Sequence, residues 1–286
     1  MAPVSPTVRR RQLGRELKRL REAAAKTRDD AARHLDMSVP AIGRYESGAG
    51  GIRAKSVLEL LDLYGVTDED LRQQLATLAR EGRVRGWWSA YASVLAYGYS
   101  TFIGFEEAAV EINDYESLGV PGLLQTEDYA RAVIRAGLPT SLPEDKVEQR
   151  VQLRMARQSR LVHGVRLWAI IDESVIRRAV GGRKVMREQL EHLAEVAESP
   201  NITLQVLPFA AGAYPGMLGA FIILSFGDPV SSPDVVYVEG AAGDQFLEGA
   251  EAQPYSLQFN GLRAVGLDPA ASIQMIRDAA RTYGDE

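Results

Sequence analysis

The 286-residue chain contains no cysteine. That excludes a disulfide framework, thiol catalysis and thiolate metal sites. Histidine is almost as scarce. His34, His163 and His192 lie far apart without metal-ligand spacing, so no metal site and no cofactor is expected. No apolar run is long enough to span a membrane. The opening MAPVSPTVRRRQ is basic but has no apolar stretch behind it, so it does not read as a secretory signal. A cytoplasmic location fits these absences.

What is present is charge, unevenly spread. Residues 1–60 hold 13 Lys and Arg against 7 Asp and Glu, a net of +6. The remainder holds 20 against 31, a net of −11, so the overall −5 conceals a basic small part on an acidic larger one. That is the footprint of a nucleic-acid reader attached to something with another task. The length suffices for two domains with an ample core.

Residues 27–48, TRDDAARHLDMSVPAIGRYESG, read as two short helices joined by a tight turn. Thr27 is placed to cap the first, with Asp29 and Asp30 near the positive end of its dipole. Ala31, Ala32 and Leu35 form an inner stripe, and Ala32 is small enough for close helix crossing. Asp36-Met37 makes the turn and Ser38 the next cap. Pro40 falls in the first turn, where a missing N–H costs nothing. Ile42 points inward and Gly48 ends the helix. This is helix-turn-helix geometry, whose second helix enters the DNA major groove; the plainer alternative is an ordinary αα-hairpin. Leu13, Leu17 and Leu20 predict a helix over 12–25, and residues 1–8, with two prolines and no periodicity, are expected to be a disordered tip. Arg9, Arg10 and Arg11 are a solvated run or an arm on phosphates. Helices are also expected over 54–63 and after a Thr67/Asp70 capping box. The result is an all-α five-helix domain at 9–81.

Ala31-Ala32, Leu35, Met37-Ser38, Ile42, Arg44, Glu46 and Gly48 together resemble the lambda-repressor/Cro type of helix-turn-helix, the Xre family. The resemblance implies a partly buried structural pair between Glu46 and Arg21 of the first helix. Arg28 stands where the family usually has Gln, which weakens sequence readout more than binding. Val39, Pro40, Ala41 and Arg44 are the expected recognition surface. Arg44 can donate bidentately to guanine, and Val39 and Ala41 can meet thymine methyls. Arg28, Ser38 and Lys55 are expected at phosphates, which position without specifying. So few polar groups on the helix suggest indirect readout. A homodimer on a near-palindromic operator is expected, with half-sites about 34 Å apart.

EGRVRG at 81–86 reads as a hinge, within a linker at 82–98 that carries Trp87, Trp88 and Tyr91. Base stacking by these rings is conceivable. Packing that fastens the linker to the second domain is favoured, because few basic residues follow Arg85. Residues 99–286 read as an α/β domain, helical at first and then built on a mostly antiparallel sheet. Phe102 and Phe105 flank an acidic helix with Glu106, on which Glu107 and Glu111 lie one turn apart, as a catalytic pair or, preferably, as solvated charges. Thr126 caps a helix carrying Tyr129, Val133 and Ile134. A helix over 144–161 aligns Arg150, Arg154, Arg157 and Arg160, for phosphates or, preferably, for the domain's own carboxylates. VRLWAIID, NITLQVLPF, FIILSF, DVVYVE and QFLE are expected strands, with closing helices near 249–265 and 269–282. The glycine-rich loop AGAYPGMLGA is no GxGxxG, Walker or GxSxG element. Trp168, Asp172, Glu173, Tyr214 and Glu239 are candidates for a ligand pocket. The acids serve equally as caps or as partners of Arg177 and Arg178.

Gly86-Trp87-Trp88, Pro121-Gly122-Leu123-Leu124-Gln125-Thr126, Arg154-x-x-Arg157-Gln158, Leu207-Pro208-Phe209 and Val236-Tyr237-x-Glu239 resemble a large actinobacterial family of Xre-type regulators with a C-terminal domain of unknown function. Members often sit beside a gene for a very small partner protein. The resemblance implies a transcriptional regulator on double-stranded DNA, not an enzyme, whose C-terminal domain senses a small-molecule effector or dimerises. One alternative is a hub that captures a small partner protein. Another is an enzyme acting on a nucleotide-like molecule, with Glu173 or Glu239 as base.

Overall fold

The computed structural model describes residues 5–95, 97–137, 143–227, 232–240 and 243–284. The chain divides into two compact units, one reaching residue 90 and the other holding most of the remaining chain. The division falls inside the stretch expected as a linker.

The first unit has five α-helices among its described residues: α1 (Pro6–Ala23), α2 (Arg28–Leu35), α3 (Val39–Glu46), α4 (Ala54–Leu63) and α5 (Glu69–Glu81). Helix α1 begins at Pro6, six residues earlier than its leucine pattern suggests, because Pro6 suits a first helical turn and Ser5 stands before it. The expected disordered tip is therefore wrong for residues 6–8, which are helical, while residues 1–4 lie outside the described residues. Thr27 and Asp30 form a reciprocal capping box. At α5 the cap is Asp68, which accepts from Leu71 N at 3.1 Å, rather than the expected Thr67. Leu13, Leu17, Ala31, Ala32, Ile42, Val57, Leu60 and Leu75 make one core. Helices α1 and α3 cross so closely that a Cβ at Gly14 would lie 2.4 Å from the Tyr45 carbonyl oxygen. Gly48, at φ +70°, turns the chain where a Cβ would lie 2.7 Å from Arg11 Cα.

The second unit opens with α6 (Tyr97–Ala108), β1 (Glu111–Glu116), α7 (Glu127–Ala136), α8 (Glu144–Arg157) and α9 (Ser159–Val162). Then come β2 (Arg166–Asp172), α10 (Glu173–Arg177), α11 (Arg183–Val196) and β3 (Ile202–Leu207). It closes with β4 (Phe221–Ser225), β5 (Val235–Val238), β6 (Gln245–Leu247), α12 (Gln253–Val265) and α13 (Pro269–Thr282). The six strands form one mixed sheet in the order β3-β2-β1-β4-β5-β6. The β1–β2 and β2–β3 pairs are parallel and the other three are antiparallel. All five expected strands are present. The sixth, β1, is not legible as one: it stands where an acidic helix was expected, so Glu107 and Glu111 do not share a helix.

One sheet face carries Tyr115, Ile170, Phe221 and Val236 against Phe259 and Leu262 of α12. On the other, Tyr237 stacks on Phe102 of α6 with ring centroids 4.3 Å apart. The arginine stripe faces inward. Arg157 is buried and donates to both oxygens of buried Glu106, at 2.8 and 2.5 Å. Arg160 donates to Ala109 O at 2.7 Å and Arg154 to Gln125 Oε1 at 2.8 Å.

Candidate nucleic-acid interface

The helix-turn-helix is held by one carboxylate. Glu46, at the last position of α3, accepts from Arg21 Nε at 2.5 Å and Nη2 at 3.2 Å, and from Arg28 Nε at 2.8 Å. Arg21 also donates to Lys26 O at 2.9 Å. Burial pushes the Glu46 carboxyl up, but the hydrogen bonds from Arg21 and Arg28 outweigh it and hold it below the usual carboxylate range. The same bond to Glu46 raises Arg21 further. The expected pair is therefore a triad. Arg28, expected at a phosphate, is tethered by its Nε to Glu46 while its side chain stays 47% exposed.

Three of the four expected recognition residues face outward. Val39, Pro40 and Arg44 are exposed, and Arg44 enters no ion pair among the described residues. Ala41 corrects the reading: it is buried with Ile42 and Glu46 on the inner stripe of α3, so no thymine methyl can meet it. Gly43 lies on the outer side of the helix, and a Cβ there would meet nothing within 4 Å. Ser38 occupies the N-cap of α3, but its side chain accepts no capping hydrogen bond. Lys55 is exposed, 3.8 Å from Glu59.

Helices α2 and α5 begin with side-chain caps and first-turn carboxylates. Helices α3 and α4 begin with neither, as does α1. The amide ends of α3 and α4 thus carry no cap or first-turn acid of their own, a condition that suits phosphate. Arg53 is the N-cap residue of α4. Arg53, Arg83 and Arg85 line a cleft with Trp88 in this unit. A hinge reading of EGRVRG overlooks the last two arginines, although a basic pair either side of Val84 is a visible signal.

In the second unit the five pocket candidates are not gathered together. Tyr214 donates to Asp172 Oδ2 at 2.8 Å and lies 3.0 Å from the Tyr115 hydroxyl. Asp172 also caps α10 through Ser174 N. Glu173 is buried and accepts from Arg177 and from Phe209 N at 2.8 Å. Tyr214 and Asp172 are thus joined directly, whereas Glu173, next to Asp172 in the chain, is taken up by partners of its own. Trp168 lies earlier on β2, donating to Gln205 Oε1 at 2.8 Å under the Arg263 guanidinium. Glu239 is exposed beyond β5. No group of three or more His, Asp or Glu suited to a metal occurs among the described residues.

Sequence alone passes over a buried acid on β1. Asp114 is 2% exposed, and its Oδ1 has no hydrogen-bond partner. Burial, reinforced by Glu106 and opposed by Arg157, pushes its carboxyl up to about 7. Glu116, two residues on, is also raised, first by burial and then by Asp114 and Glu239.

Residues 12–75 match the model of a helix-turn-helix domain, and residues 99–278 match that of a domain of unknown function (DUF5753). Neither a curated protein nor a solved structure matches the chain. Among the described residues, no helix is long and apolar enough to cross a membrane.

Proposed function

The chain belongs to the family defined by the DUF5753 domain, which spans more than half of it behind a helix-turn-helix domain, and from that premise we propose a sequence-specific transcriptional regulator of the Xre type. The N-terminal domain reads a double-stranded operator, and the C-terminal domain senses an effector or mediates dimerisation rather than catalysing a reaction. The protein acts in the cytoplasm as a homodimer. The observation that carries this reading is the outer face of α3. It presents Arg44, Val39 and Pro40 at a helix whose start has no side-chain cap and no acid. Arg44 takes a base edge, and Ser38 and Lys55 take phosphates.

Selection of duplexes from a random pool by the full-length protein tests this reading, with an enriched inverted repeat expected. Arg44→Ala should then weaken binding to that site by roughly 1–3 kcal/mol and relax preference at one base pair. Absence of any enriched motif would refute sequence-specific reading, and equal loss on every sequence would refute the base contact.

A second reading, capture of a small partner protein, has its own support. Leu118 follows β1, Phe209 follows β3, and Met217 and Leu218 precede antiparallel β4, so all four belong to loops at one end of the sheet. All four are well exposed, Leu218 at 96%. Apolar side chains gathered in this way suit a protein contact.

A further inference from the structure

The cleft in the N-terminal unit measures about 700 Å³. Arg10, Arg53, Arg83 and Arg85 line it, Tyr45 and Trp88 contribute aromatic side chains, and no carboxylate is among its lining residues. Arg10 Nη1 donates to Gly82 O at 3.0 Å, which ties the segment after α5 to α1. Trp88 is buried, and its ring lies over Gly86 so closely that a Cβ there would stand 2.4 Å away. The backbone between Gly82 and Trp88 is thereby fixed at both ends. Arg83 and Arg85 leave it exposed, as Arg53 does from the start of α4. Among the described residues, none of these three enters an ion pair or a side-chain hydrogen bond.

This chain has 38 acidic residues against 33 basic ones, so counterions are not scarce. Three arginines converging without one repel each other, and an external anion relieves that repulsion. The cleft reaches Tyr45 of α3 and the start of α4, so it is continuous with the recognition surface. Guanidinium groups match phosphate geometry bidentately. We propose that this cleft seats the DNA backbone flanking the half-site, with Arg53, Arg83 and Arg85 neutralising phosphates. The segment after α5 is then part of the DNA reader and not a free hinge. The inference rests on the DNA-binding reading above.

The test is the salt dependence of binding to a labelled mixed-sequence duplex, using the full chain and its Arg83→Ala/Arg85→Ala variant. Losing two phosphate contacts should lower the log–log salt slope by about 1.8 per bound protomer, so that between about 50 and 200 mM salt the wild type loses about 12-fold more affinity than the variant. Arg83→Lys/Arg85→Lys should keep most of the slope, and the melting temperature should not move, since both side chains are exposed. An unchanged slope in the alanine variant overturns the clamp while leaving the DNA-binding reading intact. Failure of the wild type to bind any duplex overturns both. A melting temperature raised by inorganic pyrophosphate, with the rise lost in the variant and the DNA slope unchanged, assigns the cleft to a free anion and also overturns the clamp.

Discussion

Replacing Glu46 by alanine should damage the N-terminal domain far more than replacing Arg28, the half-exposed charge beside it. Glu46 is 6% exposed and Arg21 7% exposed, so the substitution strands a guanidinium that water barely reaches. Breaking a buried pair from one side costs about 3–5 kcal/mol. Arg21 keeps its bond to Lys26 O and a 3.4 Å contact with Glu22, which places the loss near the lower end, about 3 kcal/mol. For a domain of this size that corresponds to a drop in melting temperature of roughly 12–24 °C. Arg28→Ala also removes a bond to Glu46, but its side chain is 47% exposed, so the loss should stay below about 1 kcal/mol. Calorimetry of the full chain, following the transition of the helical domain, separates the two. The acid side supplies a second check. A carboxyl held low in the folded state stabilises above its ordinary value near 4.5 and loses that contribution as pH falls through the folded value. The gap between wild type and Glu46→Ala should therefore narrow in strong acid. Equal losses for Glu46→Ala and Arg28→Ala, or a gap that widens on acidification, would refute the triad.

Asp114→Asn should act in the opposite pH direction on the second domain. A carboxyl raised in the folded state binds its proton more tightly there than in the unfolded chain. Its stability contribution is therefore complete below the ordinary value of 3.8 and is lost as pH rises to about 7. The asparagine variant should lack this decline and gain up to about 4 kcal/mol over wild type at pH 8 relative to pH 4; parallel melting profiles for the two proteins would count against it. Gly43→Ala meets no steric obstacle and should stabilise α3 by about 0.5–1 kcal/mol, yet weaken duplex binding by holding the helix off the groove. Stabilisation together with tighter binding would show that the backbone at 43 does not approach the bases.

The N-terminal domain is legible in the sequence because its signals are local. Thr27, Asp30, Pro40 and Gly48 each fix a helix boundary within a few residues, and Glu46 and Arg21 follow the family pattern. The tether on Arg28 is not legible, because its link to Glu46 spans 18 positions and depends on how two helices cross. Ala41 reads as outward-facing because position alone does not fix which side of a two-turn helix meets α1. In the second domain, VRLWAIID and FIILSF announce themselves by continuous apolar character. EINDYE does not: Asn113, Asp114 and Glu116 break the apolar pattern, and the segment lies directly after an acidic helix. The missed strand and the missed buried acid are thus one error, since the sequence hides the strand by placing a carboxylate in its interior. Strand ends suggest the pocket candidates, but register separates Trp168 from Asp172 while the Tyr214 loop closes over the latter.

Strand β1 also has consequences for how the chain is made. Its parallel partner β2 lies about 55 positions later, and its antiparallel partner pairs Glu111 with Ser225. During synthesis β1 therefore leaves the ribosome long before either neighbour exists, while the preceding helical domain can complete its short-range contacts at once. An apolar strand waiting that long with both edges open would invite pairing with another nascent copy. Asn113, Asp114 and Glu116 make β1 polar instead. The carboxylate that ends buried in the finished sheet is, by the same physics, a gatekeeper against premature pairing.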